Sequence, residues 1–357
     1  LTPFDTFFTW RRWGQHPYNQ RNGGPCANRE ELLLCPHTRH AILGRLAFAT
    51  ERWGGSGALF AWDLWNEMHP IHVGNRLELF HPVIAELSGF MRDLETRLHG
   101  RAHPQTVSVF GPELIWKPVL VDPILRHPEL DVANSHFYEE GTIDDPRDTV
   151  APAVSVGRLV RQALADTTEG RPFFDSESGP IHTFKDRHKT LPEPFDDEYF
   201  RHMQWAHFAS GGAGGGMRWP NRDPHVLTHG MRVAQRGLAG FLPLIDWPRF
   251  RRRNLNDELR VSLPSVEPFG CGDSAQAVVW LLRRDSIAPD GRLRRDAAAI
   301  HPEIVIPGLA PGRYLVTSWD TESGRTVDSW EAEATADGLT LRVPVVRDVA
   351  IAVRRGD

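Results

Sequence analysis

Short apolar runs alternate, along the first two thirds of the chain, with longer stretches in which apolar residues recur every three to four positions. The short runs, at residues 4–9, 59–64, 106–110, 130–137, 172–175 and 214–219, read as buried strands. The longer ones, at 38–51, 77–98, 152–166, 196–210 and 226–242, read as helices. Strand alternating with helix predicts a parallel sheet with crossover helices. Polar, reactive residue types at the strand exits favour a (β/α)8 TIM barrel over an open doubly wound sheet. No Gly-rich loop follows a strand and opens a helix, which argues against a dinucleotide site. A closed barrel needs eight strands and this pattern supplies six, the first of them immediately after Leu1. The expectation is therefore a barrel without its first two βα units.

Beyond about Asp257 the period changes from helical to alternating. Runs at 275–284, 303–306, 312–319, 325–332, 339–344 and 348–354 are separated by turn signals such as Pro289-Asp290-Gly291 and Ala336-Asp337-Gly338. Short strands at this spacing predict an antiparallel β-sandwich. The expected domains are 1–257, a barrel, and 258–357, an accessory sandwich.

Composition narrows the function classes. A net charge of −5 gives no electrostatic footprint for nucleic acid. No apolar run reaches the roughly 18 residues of a membrane span. The N-terminal residues do not read as a signal peptide, so the compartment stays open, secreted or cytoplasmic. Nothing in the sequence sets an oligomeric state. Cys26, Cys35 and Cys271 are too few and too irregular for a disulfide framework, although Cys26 and Cys35 could close a short loop in an exported protein. The His residues are numerous but not paired at i, i+4 around a Glu: His202 and His207 lie five apart, His182 and His188 six. No metal or other cofactor is expected.

Two strand exits carry the candidate chemistry. Phe60-Ala61-Trp62-Asp63-Leu64-Trp65 ends in Asn66-Glu67, and Phe173-Phe174-Asp175-Ser176 ends in Glu177. Two carboxylates delivered this way suggest cleavage of a glycosidic bond, one acting as acid/base and the other as nucleophile. Asn66 could donate to a sugar hydroxyl. Asp175 competes with Glu177 for the second role, since alternate residues of a strand share a face. His136 and Tyr138 share such a face, as a substrate contact and a partner for a nucleophilic carboxylate. Trp65 and Trp219 offer flat faces on which a pyranose could pack, although most of the 12 Trp suit a core equally well. For each of these residues the plainer alternative is a capping, solvated or packing role.

In their order along the chain, Trp62-Asp63-Leu64-Trp65-Asn66-Glu67, His136-Phe137-Tyr138, Phe174-Asp175-Ser176-Glu177 and Met217-Arg218-Trp219-Pro220 form one pattern. It resembles the retaining β-glycosidases of glycoside hydrolase clan A, and is most similar to the family 5 mannanases and cellulases. His16-Pro17-Tyr18-Asn19 and Asn22-Gly23-Gly24-Pro25 look like the loop after strand three in such enzymes. The resemblance implies Glu67 as acid/base, Glu177 as nucleophile, and Asn66, His136, Tyr138 and Trp219 as their neighbours or substrate contacts. The partner it implies is an oligosaccharide or polysaccharide. The family's supporting Arg on strand two has no counterpart here. A non-catalytic carbohydrate-binding barrel is the alternative reading.

Overall fold

A computed structural model describes residues 1–139, 146–180, 190–215, 217–218 and 227–356. They form two compact units, Leu1–Phe137 with Ala165–Ser176, and Tyr138–Leu164 with Glu177–Asp357.

The first unit opens with helix α1 (Thr6–Arg11) and continues through α2 (Pro36–Trp53), strand β1 (Trp62–Asp63), α3 (Phe80–His99), β2 (Gln105–Thr106), α4 (Gly111–Trp116) and α5 (Val121–Ile124). It then holds the beginnings of β3 (Ala133–Glu139) and of β4 (Phe173–Pro180). Pro36 starts α2, where a missing N–H costs nothing. Thr38, Ile42, Leu46 and Ala49 then form its buried stripe. In α3 the stripe is Val83, Ile84, Leu87, Met91 and Leu94, and Gly100 ends the helix in the left-handed region (φ 70°). Glu95 of α3 is a buried carboxylate with its donors supplied. Trp62 Nε1 lies 3.0 Å from it, the His103 amide 2.7 Å and His103 Nδ1 2.6 Å. It ties α3 to the start of β1.

β1 and β2 pair in parallel, Trp62 with Gln105 and Asp63 with Thr106. The pairing runs on beyond the strand ends, because the Leu64 amide donates to the Thr106 carbonyl (2.8 Å) and the Met68 amide to that of Ser108 (2.9 Å). In this way the strand exit at Asn66-Glu67 is held by backbone. Residues 4–9, expected as a strand, give only one parallel bridge, Asp5 to Asn66, before α1 begins at Thr6. A short apolar run does not distinguish a strand from a buried helical turn. Here Phe4 stacks on Trp65 at 5.1 Å, and Trp65 Nε1 donates to Thr6 Oγ1 (2.9 Å). These tertiary contacts favour the turn.

The second unit contains α6 (Ala151–Asp166), α7 (Glu193–Ala209), β5 (Met217–Arg218) and α8 (His229–Phe241). Asp148 caps α6 by accepting from the Val150 and Ala151 amides at 2.8 and 2.7 Å. β4 pairs with β5 in parallel, Glu177 opposite Met217. Nine antiparallel strands follow: β6 (Arg253–Asn254), β7 (Arg260–Val261), β8 (Val266–Gly272), β9 (Gln276–Arg283), β10 (Glu303–Ile306), β11 (Gly312–Asp320), β12 (Arg325–Ala334), β13 (Leu339–Arg342) and β14 (Asp348–Arg355). They make one sheet in the order β12-β11-β14-β9-β8-β6 and a second in the order β13-β10-β7. Val279, Leu281, Val316 and Ile351 of the large sheet share a core with Ile304, Ile306, Leu339 and Leu341 of the small one. β6, β7 and β8 were not expected from the sequence.

A buried ion pair joins α7 to the large sheet. Arg201 Nη1 reaches both Asp348 oxygens, at 2.7 and 2.9 Å, and the two side chains are 5% and 3% exposed. Burial alone would raise the Asp348 pKa, but the facing Arg201 charge overrides it and holds the carboxyl below its ordinary range. A depressed carboxylate stabilises the fold above its unfolded-state pKa and loses that contribution as pH falls through the folded one. Arg201→Met would strand the Asp348 charge, so we predict a loss of about 3 kcal/mol or more at pH 7. The loss should shrink in acid as Asp348 protonates. Urea unfolding at pH 7 and pH 3 measures both; an equal loss at the two pH values would contradict the assignment.

Candidate active site

In the first unit the strand exit sets Glu67 in a left-handed conformation, φ 51°. For a residue with a Cβ this is strained, and strain of this kind collects at functional sites. Its amide donates to Ser108 Oγ (3.0 Å), and its Oε1 lies 2.9 Å from His136 Nδ1. The Glu67 side chain is 27% exposed and that of His136 only 1%, so the carboxylate is reachable while the imidazole holding it is not. The other ring nitrogen of His136 is 3.2 Å from Ser176 Oγ. With Nδ1 carrying the proton, His136 donates to Glu67 and accepts from Ser176. Both ring nitrogens of His136, expected from the sequence as a substrate contact, thus face protein groups. Gly111 makes the neighbouring path possible: a Cβ there would stand 2.5 Å from the His136 carbonyl oxygen.

Beneath Glu67 is a polar set of which sequence reasoning singled out only Asn66. Ser108 Oγ lies 3.1 Å from Asp63 Oδ2 and 3.1 Å from Asn66 Oδ1. The Ser108 amide donates to Asp63 Oδ1 (3.1 Å). Asn66 Nδ2 donates to Asp5 Oδ2 (3.1 Å), so the amide expected to face a sugar hydroxyl has one donor engaged with protein. Asp63 keeps partial solvent exposure, but dense protein around its carboxyl pushes the pKa up to about 7 through lost hydration, against smaller opposing effects of His136 and Ser108. A raised carboxyl pKa means that the folded state holds the extra proton, so stability falls as pH rises from about 4 to about 7. We predict that the unfolding midpoint in urea drops between pH 5 and pH 8, and that Asp63→Asn narrows the drop. An unchanged difference in the variant would sink the assignment.

Just after Glu67, His69 Nε2 meets Glu113 Oε1 of α4 at 2.9 Å. Trp65 is almost fully buried, its indole N–H on Thr6, yet it borders a cavity of about 500 Å3. His16 and Tyr18 border the same cavity, on a loop tied by Asn22 Nδ2 to the Gly14 and His16 carbonyls at 3.0 and 2.9 Å.

In the second unit Glu177 lies within β4, which continues to Pro180 beyond the exit expected from the sequence, and Tyr138 Oη donates to its Oε1. This is the pairing that the sequence suggested for a nucleophilic carboxylate. Asp175, the competitor, is buried in the first unit and accepts from the Phe137 amide at 3.2 Å, a structural use of its charge. Trp219 lies outside the described residues, as do Glu140, His182 and His188. Cys26, Cys35 and Cys271 are free thiols, with Cys26 Sγ 3.2 Å from Thr38 Oγ1.

No family model and no curated protein matches the sequence. Solved structures do. A protein described as a glycoside hydrolase matches over 89% of this chain and 69% of its own, with 11% identity and a TM-score of 0.51. A family 5 glycoside hydrolase from Bacteroides vulgatus matches over 89% of this chain and 67% of its own, with 10% identity and a TM-score of 0.54. The chain shares the backbone fold of these two proteins. At such identity the likeness is one of backbone, and what this chain does must be argued from its own side chains. Among its described helices none is long and apolar enough to cross a membrane.

Proposed function

We propose that the chain is a retaining β-glycosidase, a TIM-barrel catalytic domain at 1–257 carrying a C-terminal β-sandwich at 258–357, that cleaves oligosaccharides or polysaccharides. Glu67 is its acid/base and Glu177 its nucleophile. The observation that carries the reading is Glu67 itself, a strained residue at a parallel strand exit whose reachable carboxylate is fixed by a buried imidazole. A residue kept for packing or solubility has no need of such a hold.

Glu177 attacks the anomeric carbon while Glu67 protonates the leaving oxygen, which gives a glycosyl ester on Glu177 and a free alcohol. Glu67, now a carboxylate, takes a proton from water, and the resulting hydroxide displaces Glu177. Tyr138 donates to the Glu177 carboxylate and so holds it in place for attack. Asn66 contacts the sugar through its remaining amide donor, Trp219 supplies an apolar face to the cleft, and Trp65, buried beneath Phe4, backs the site without facing it.

Product stereochemistry tests this directly. With an aryl β-glycoside, proton NMR of the first-formed sugar should show the β-anomer, which then mutarotates. The α-anomer appearing first would remove Glu177 as nucleophile. Binding of β-glucans or β-mannans without release of reducing ends would replace the whole reading with a carbohydrate-binding one.

A further inference from the structure

The cavity beside Trp65 belongs to the first unit and is walled by the N-terminal segment, the loop carrying His16 and Tyr18, and α2. Its size falls within the range of small-ligand sites, roughly 300–1,000 Å3. It adjoins the Glu67 strand exit through backbone: the Asn66 amide donates to the Phe4 carbonyl (2.9 Å) and the Thr6 amide to that of Asn66 (3.1 Å). Two guanidinium groups line it, Arg12 and Arg45. Some arginines of this acidic chain pair with carboxylates, as Arg39 does with Glu86 and Arg92 with Asp131. Among the described residues neither Arg12 nor Arg45 has such a partner. Arg45 is instead aimed by an aromatic: its guanidinium lies 5.0 Å over the Phe4 ring, and Phe4 stacks on Trp65. Among the described residues the one carboxylate lining the cavity is that of Asp5, which accepts from Asn66. At neutral pH His16 adds no charge, since burial lowers its pKa.

We infer that this cavity is a subsite for a sugar unit bearing an anionic substituent, a carboxylate or a sulfate, bound by Arg12 and Arg45 with Phe4 and Tyr18 beside the ring. The inference deepens the glycosidase reading and rests on it for the meaning of the neighbouring Glu67. A planar guanidinium fork suits either oxyanion.

Binding tests the subsite without turnover. Methyl glucuronide, methyl galacturonide, 6-sulfated methyl glucoside and plain methyl glucoside are titrated into the intact protein at low salt, with affinity read by calorimetry or ligand-observed NMR. At least one anionic glycoside should bind about tenfold more tightly than methyl glucoside, and more weakly as salt rises. Arg12→Gln and Arg45→Gln, at exposed positions that leave the fold intact, should each remove most of that advantage, and Arg45→Lys should restore part of it. The carboxylate and sulfate arms tell which substituent is taken. Equal binding of anionic and neutral sugars, or an anionic preference untouched by both variants, would overturn the subsite. Hydrolysis of neutral β-glycosides together with either result would spare the glycosidase reading, whereas anion-selective binding without any hydrolysis would spare only the subsite.

Discussion

Glu67→Gln should lower turnover of glycosides with alkyl or sugar leaving groups by about 10²–10⁴-fold, the usual share of general acid–base catalysis. With a leaving group as acidic as dinitrophenol the loss of the first step should almost vanish, because such an oxygen departs without a proton. The second step still lacks its base, so glycosyl-enzyme should accumulate and a burst of phenol should precede slow release. Azide needs no deprotonation and should restore rate by forming a β-glycosyl azide. The Gln side chain keeps an oxygen for His136, so the strand exit should hold and the unfolding midpoint should hardly move. If both classes of leaving group lose rate equally, Glu67 is not the acid.

Glu177→Gln removes the group that forms the covalent bond. An amide oxygen does not yield a glycosyl ester under these conditions, so turnover should fall by more than about 10⁴-fold, beyond about 5.4 kcal/mol of transition-state stabilisation. Unlike the acid/base variant, this loss should be the same for all leaving groups, and azide should return at most an α-product. Wild-type enzyme treated with a 2-fluoro glycosyl fluoride should carry its label on the peptide containing Glu177. Label on the peptide with Asp175 alone would move the role two residues upstream. Residual activity within tenfold of wild type would end the assignment.

Much of this architecture was readable from periodicity. α2, α3, α6, α7 and α8 are long enough for two or more turns to agree on one buried face. β9, β11 and β14 declare themselves by apolar content between turn signals. β8 did not, because Pro268, Gly270 and Gly272 interrupt its apolar run, and its place is set by pairing with β9. α4 has only six residues, too short for a period to emerge. At the site, Glu67 and Glu177 stood out because a charge after an apolar run is conspicuous. Their holders were less visible. His136 lies 69 residues from Glu67, and only the fold brings the two together within the first unit. Ser108 is a small residue inside an apolar stretch, with nothing in its neighbours to announce three polar contacts.

Those contacts impose a proton stoichiometry. Ser108 has one hydroxyl proton, yet it faces Asp63 Oδ2 and Asn66 Oδ1 at the same 3.1 Å while the Glu67 amide occupies one of its lone pairs. When Asp63 is neutral, its own O–H can donate to Ser108, and the Ser108 hydroxyl can donate to Asn66 Oδ1. When Asp63 ionises it claims the serine proton, and Asn66 Oδ1 is left facing an oxygen. The amide beside Glu67 is thus oriented by a proton stored on Asp63. Because that proton leaves near pH 7, the register of the whole hydrogen-bond chain is written by the medium as well as by the fold.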